Sequence, residues 1–381
     1  MSMKIMTVYG TRPEAIKVAP IINALERSPH FESVTVSTGQ HREMLDQVNT
    51  IFGISPRYDL GIMAQGQSLN DIAVKIFAGL GDILAAEQPA AVLVQGDTSS
   101  ALYAALAAFN LQIPVVHLEA GLRSGNIHSP FPEEGNRRLI SQVASLHLAP
   151  TAGSKKNLLR EGFSEKDIAV TGNSVIDALL SVVGWQADLP DERVEQAIAS
   201  GQRLVLVTTH RRENLGDAMQ NIGRALGALA KKYIDCIFIF PAHKNPAMRE
   251  AVLPHLEGLE NVVVTEPLPY VEFTQLLAAS YLVVTDSGGL QEEAPSLGKP
   301  VLVLRKNTER PEAVDAGTVR LVGTDTERIV AEVSGLLNIP ELYRSMSNAV
   351  NPYGDGAASG RTIAALEAFF GLGKRLPDFS V

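Results

Sequence analysis

Short apolar runs recur along the chain at strand length, each followed by a polar or glycine-rich turn and then by apolar residues at helical spacing. Residues 4–9, 34–38, 91–95, 115–118, 146–149 and 168–171 form one such series, and residues 204–209, 237–240, 262–265, 281–285 and 301–304 a second. Runs without polar alternation read as parallel strands buried on both faces. Strands that alternate with helices predict βαβ units, and two such series predict two doubly wound α/β domains. The polar residues 188–200 read as the linker region.

In an open α/β sheet, ligands sit beyond the carboxyl ends of the strands, where helix N-termini and glycines let backbone N–H groups approach an anion. The chain is organised around residues 281–310. A buried strand runs there into Asp286-Ser287-Gly288-Gly289 and a short helix. Ser287, Gly288 and Gly289 read as a phosphate cradle. Glu292 and Glu293 would repel a phosphate, so one of them, taken as Glu293, suits the ribose hydroxyls, and Arg310 supplies the positive charge. A capped helix with solvated glutamates is the plainer reading of the same residues.

The other strand ends add candidates. Thr11 and Glu14 have capping-box spacing and Pro13 suits a first helical turn, which leaves Arg12 and Lys17 as cations opposed to the helix dipole and better explained by a bound phosphate. Asp97 after one strand reads alone as a helix cap. Glu119 after the next makes a second carboxylate in the same crevice if those strands are neighbours, and that favours chemistry. Glu133 and Glu134, in a first helical turn, read as dipole complements. His41 reads as a helix-start or surface residue and His210 as a loop residue or ligand contact. Phe273 reads as core, or as a platform for a base. No G-x-G-x-x-G or P-loop occurs, so no nicotinamide cofactor is expected, and the eight histidines show no metal-ligand spacing.

Composition narrows the partners. A length of 381 residues with 45% hydrophobic content is ample for two cores, since single cores stop growing at roughly 250–300 residues. The net charge of −9 argues against nucleic acid or an acidic membrane surface. Cys236, the single cysteine, lies in an apolar run and reads as a buried strand residue in a reducing compartment. No run approaches the ~18 residues of a membrane span and the start has no signal-peptide layout, so a cytoplasmic protein is expected.

The motifs GTRPEAIK, QHREMLDQV, GDTSSA, EAGLRS, PFPEEGNRRL, TGNSVIDAL, THRRENLG, TDSGGLQEEAPSLGKPVLVLR, TERPEAV and NPYGDG, in this order over nearly the whole chain, resemble those of the bacterial non-hydrolysing UDP-N-acetylglucosamine 2-epimerases. The resemblance implies a GT-B fold, two Rossmann-like doubly wound domains with a cleft between them, and a homodimer. Residues 1–173 would form the first domain, with 357–381 packing back on it, and residues 174–356 the UDP-binding domain. The implied reaction interconverts UDP-N-acetylglucosamine and UDP-N-acetylmannosamine without a cofactor or metal. Asp97, Glu119 and Glu133 become its acid/base carboxylates, which overturns the plainer reading of Glu133. His210 would contact the diphosphate or leaving oxygen. Arg12 and Lys17 would reach the substrate, Ser287, Gly288, Gly289 and Arg310 the phosphates, Glu293 the ribose, and the region from Leu268 to Phe273 the uracil.

The resemblance stops short at an allosteric substrate site lined by a glutamine where this chain has Glu43 and an arginine where it has Gly66. Ser99 and Ser100 replace threonines often seen in the GDTSS segment. A GT-B glycosyltransferase, a hydrolysing epimerase, an epimerase for a modified UDP-sugar and a non-catalytic UDP-sugar sensor are the alternatives. The carboxylate trio counts against the transferase and the sensor.

Overall fold

The computed structural model describes residues 2–39, 42–64, 66–211, 214–308 and 310–381, with the side chains of residues 42–44 outside the description. The reading of His41 therefore lies outside the described residues, as does the side chain of Glu43. The chain divides into two compact units. The first runs to Ala178 and takes up Tyr353–Ser380; the second spans Leu179–Pro352.

In the first unit, strands β1 (Met3–Tyr9), β2 (Phe31–Ser37), β3 (Tyr58–Asp59), β4 (Ala91–Gln95), β5 (Val115–Leu118), β6 (Leu146–Ala149) and β7 (Ile168–Val170) form one parallel sheet in the order β3-β2-β1-β4-β5-β6-β7. In the second, β8 (Arg203–Thr208), β9 (Cys236–Pro241), β10 (Val262–Thr265), β11 (Leu282–Thr285), β12 (Val301–Val303) and β13 (Val319–Leu321) take the order β10-β9-β8-β11-β12-β13. Both sheets are doubly wound. Each reverses direction beside its first strand, between β1 and β4 and between β8 and β11, and these are the switch points at which such sheets bind ligands.

The continuous apolar runs are explained by burial on both faces. Val92 and Val94 of β4 pack with Ile76 and Leu80 of the helix Leu69–Glu87, while Val205 and Val207 of β8 pack with Ile222 and Leu229 of the helix Asp217–Lys232. Each such side chain contributes about 1.5–3 kcal/mol when fully buried. Cys236 is a buried free cysteine at the start of β9, as its surroundings predict.

Two local expectations are corrected. The polar stretch 188–200 contains a helix, Glu192–Ala199, capped by Asp191 and buried only through Val194 and Ala197, so its apolar signal was small. Asp97 is not the helix cap. Thr98 takes that place, its hydroxyl accepting the Ala101 N–H at 3.1 Å. The edge strands β3 and β13, two and three residues long, are too short to show as periodicity.

Candidate active site

At the first switch point, the turn after β1 is tied down by Glu14, whose fully buried carboxylate accepts the N–H of Gly10 at 3.0 Å and of Thr11 at 2.7 Å. Its other oxygen accepts the Thr98 hydroxyl at 2.6 Å, joining the loop after β1 to the loop after β4. Asp97 stands on that second loop. Its carboxylate meets Arg137 at 2.7 Å, and the Asn136 amide donates to its carbonyl at 2.8 Å. Both partners come from the helix Glu133–Val143. The imidazole of His117, fully buried in β5, donates through Nε2 to the Gly96 carbonyl at 2.8 Å. Burial holds that imidazole down at about 3, so it is neutral and serves as a fixed donor.

Glu119, at the carboxyl end of β5, adopts φ +66°, in the left-handed region that side chains rarely occupy. Strained backbone of this kind clusters at functional sites. Its carboxylate is held by Lys17, by the Asn173 amide at 2.9 Å and by the Gln95 amide at 2.5 Å. Lys17, expected to face substrate, thus also pairs with Glu119.

The carboxylates form one electrostatic group. Burial pushes the Asp97 carboxyl up, Arg137 and Lys17 oppose that, and the negative charges of Glu119 and Glu133 add to it, leaving it above the ordinary aspartate range. A carboxyl raised by burial and like charges at a sheet switch point is a candidate for proton transfer. Asp97, Glu119, Glu133 and Lys17 are therefore brought together. Arg12 opens the helix Arg12–Glu26 at the same end of the sheet.

At the second switch point, His210 and Arg211 follow β8 and Asp286 follows β11. Asp286 is fully buried and accepts the N–H of His210 and of Arg211, each at 3.0 Å. Beyond it, Ser287 and Gly288 lead to Gly289, which precedes the helix Leu290–Ser296. A Cβ on Gly288 would lie 2.7 Å from Nη1 of Arg310 and 3.3 Å from Nη2 of Arg211, so two guanidinium groups crowd over this residue. The Ser287 N–H is already donated to Thr285 Oγ1 at 2.9 Å, so what suits a diphosphate here is the pair of cations gathered over the glycine turn. Arg310 is itself fixed by Glu292, Nε to Oε1 at 2.6 Å. Glu292 is buried and Glu293 half-buried, which separates the two neighbours.

Leu268 is buried just beyond β10, and Phe273 is half-buried in the helix Tyr270–Ala279. Gly66 sits in an exposed turn at φ +72°. Among the described residues, no group of three His, Cys, Asp or Glu could hold a metal ion, and no helix is long and apolar enough to cross a membrane. The capping box expected of Thr11 and Glu14 is present. Sequence reasoning gave no site role to Gln95, His117, Arg137, Asn173, Arg211 or Asp286; each acts through a contact distant in sequence, and only Arg211 and Asp286, at strand ends, carried a local signal.

Comparison with known proteins agrees with this geometry. Residues 23–367 match the family model described as UDP-N-acetylglucosamine 2-epimerase. The UDP-N-acetylglucosamine 2-epimerase of Salmonella typhimurium is 51% identical over 372 residues, covering 96% of this chain and 99% of that protein. The crystal structure of the UDP-GlcNAc 2-epimerase from Neisseria meningitidis bound to UDP-GlcNAc is 48% identical, covers 96% of this chain and 100% of its own, and superposes with a TM-score of 0.87. A glycotransferase of kitacinnamycin, 14% identical with a TM-score of 0.64 over 96% of this chain and 99% of its own, shares the fold alone, the GT-B class expected from the sequence.

Proposed function

The chain belongs to the UDP-N-acetylglucosamine 2-epimerase family and interconverts UDP-N-acetylglucosamine and UDP-N-acetylmannosamine, and on that premise we propose that it does so by eliminating and re-adding UDP. The C2–H of an N-acetylated sugar is not next to a carbonyl, and general acid–base help of roughly 10²- to 10⁴-fold does not suffice to remove it alone. Breaking the C1–O bond solves this. Its electrons leave with the β-phosphate oxygen, a carboxylate takes the C2 proton, and a C1=C2 glycal remains. In the return step the glycal takes a proton on the opposite face of C2, and the phosphate oxygen re-forms the bond to C1.

The observation that carries this reading is the group formed by Asp97, Glu119 and Glu133 beside Lys17, with Asp97 raised by burial and by its acidic neighbours. Two faces of C2 require two proton carriers, and the trio contains them. Charge that builds on the departing diphosphate is met by Arg310, His210, the Ser287 hydroxyl and the N–H groups at Gly288 and Gly289, with Arg12 a further cation for the substrate. Glu293 binds the ribose, and Leu268 and Phe273 hold the uracil. A nicotinamide or metal has no part in this chemistry. The same reading makes the protein a cytoplasmic homodimer, supported by the family resemblance.

The test is a proton NMR time course in D₂O with UDP-N-acetylglucosamine and no added cofactor or acceptor. Manno-configured product carrying deuterium at C2 is expected. Free N-acetylmannosamine with UDP would instead make the enzyme a hydrolase of its intermediate, and product retaining the original C2 proton would overturn the elimination.

A further inference from the structure

Two sequence motifs, TGNSVIDAL and NPYGDG, have no place in the chemistry so far, yet the first reaches Glu119 and the second braces the first. Asn173 is nearly buried, at 3% exposure, and its Nδ2 donates to Glu119 Oε1 at 2.9 Å. Its Oδ1 is already used, accepting the Val175 N–H at 3.1 Å, so the amide has one orientation and must offer its N–H₂ to the carboxylate. The next residue, Ser174, donates its hydroxyl to the carbonyl of Lys17 at 2.6 Å. These two consecutive residues therefore grip both members of the Lys17–Glu119 pair.

The segment is braced from the other end of the chain. The Asn173 N–H donates to the Tyr353 carbonyl at 2.6 Å, and Tyr353 is buried within the NPYGDG turn. Gly172 has φ +83°, and a Cβ there would meet Gly354 Cα at 3.5 Å, the Tyr353 carbonyl at 3.6 Å and Phe379 Cγ at 3.7 Å. Phe379 is itself fastened to the sheet edge, its N–H donating to Val170 at 2.8 Å while Asp378 accepts the Val170 N–H at 3.0 Å.

We propose that Asn173 is a positioning residue of the reaction: with Lys17 and Gln95 it holds Glu119 as a fixed anion, so that Glu119 stabilises positive charge on the sugar ring while Asp97 and Glu133 move the protons. The proposal rests on the elimination reading above. A carboxylate receiving two amide donors and an ammonium gains nothing from taking up a proton, since protonation would forfeit an acceptor site for one of them. On this proposal the anion faces a ring that becomes oxocarbenium-like, and it acts only as the C1–O bond breaks, which is where catalysis requires it. The NPYGDG turn and the C-terminal residues around Phe379 serve to keep Asn173 from rotating away.

Asn173→Asp tests this with almost no change of shape. The introduced carboxylate still accepts the Val175 N–H, and Asp is a favoured residue at such a helix start, so a merely structural role predicts unchanged folding and activity. The positioning role predicts a different result. An acceptor now faces Glu119, the two carboxyls share a proton, kcat falls about 10- to 100-fold with KM within about twofold, and the acid limb of the kcat–pH profile moves to higher pH. Asn173→Ser keeps a helix-start oxygen but is too short to reach Glu119, and the same fall in kcat is expected. Whichever variant folds is decisive: wild-type kcat and an unmoved pH profile would overturn the proposal. Failure of the underlying reading shows differently, as wild-type protein that epimerises without exchanging deuterium into C2.

Discussion

The Nδ1 of His210 lies 3.1 Å from Oδ1 of Asp286, a carboxylate with no exposed surface. The same carboxylate accepts the backbone N–H of His210 and Arg211 and the side-chain amide of Asn214, each at 3.0 Å. Burial pushes the Asp286 carboxyl up, but the bonds from His210 and Arg211 outweigh it and hold the group below the ordinary aspartate range. The imidazole therefore donates from Nδ1, which leaves Nε2 for the diphosphate contact proposed above, as a carboxylate partner does for metal-binding and catalytic histidines. One carboxylate thus sets the tautomer of His210 and the position of Arg211.

Asp286→Asn is expected to lower kcat about 10- to 100-fold, by releasing the tautomer, and to destabilise the protein by roughly 1–3 kcal/mol. The pH dependence has a definite sign. A carboxyl held below its unfolded value contributes stability that is present above that value, 3.8, and lost as pH falls through the folded one. Denaturant midpoints of wild type and variant should differ fully at pH 7 and draw together below about pH 4. A gap that stays constant to pH 3 would show that the carboxylate charge is not its cause.

Asp97 predicts the opposite sign. Burial, with Glu119 and Glu133, raises its carboxyl despite Arg137, so the fold favours the protonated form. The associated stability is present at low pH and is lost as pH rises through the raised value. Asp97→Asn removes a proton carrier and should reduce epimerisation by roughly 10²- to 10⁴-fold. It should also unfold at a higher temperature than wild type at pH 8, since Arg137 keeps Glu134 at 3.2 Å as a partner. Melting curves at pH 5 and pH 8 decide this: a variant that is less stable than wild type at pH 8 would contradict the assignment of Asp97 as a strained, functional carboxyl.

The switch points were legible because parallel strands buried on both faces leave continuous apolar runs, and a carboxylate directly after such a run marks a sheet's carboxyl end. Asp97 and Glu119 were picked out as candidates in this way, and His210 as a polar residue directly after another such run; all three stand at the carboxyl ends of strands. The residues that set their chemistry leave no such mark. Arg137 reaches Asp97 across 40 positions and Asn173 reaches Glu119 across 54, and nothing local distinguishes either from a solvated helix residue. His117 is hidden for a different reason, as a polar residue inside a strand, where its bond to the Gly96 carbonyl exists only once β4 and β5 pair. Thr98 displaced Asp97 as the helix cap because two adjacent residues both suit that role.

Glu292 and Glu293 carry the same ambiguity, and here the structure divides the pair. Neighbours on a helix point about 100° apart. Glu292 is the buried one, fixed to Arg310 at 2.6 Å, and the Asn351 amide donates to its carbonyl at 2.8 Å. Glu293 keeps partial exposure at the start of the same helix. Removing the charge of Glu292 takes its carboxylate from the half-buried Arg310 guanidinium, so Glu292→Gln should fall mainly in stability, by roughly 1–3 kcal/mol. Glu293→Gln should leave stability within about 0.5 kcal/mol and weaken UDP about tenfold, the worth of one hydrogen bond to an ionised group. Calorimetric titration with UDP and with 2′-deoxy-UDP separates a ribose contact from a general loss of fit. Wild type should prefer UDP and Glu293→Gln should not, because the proposed ribose contact is to the missing 2′-hydroxyl. If Glu293→Gln kept the wild-type preference, the ribose contact would belong to another residue and Glu293 would be a solvated helix residue after all.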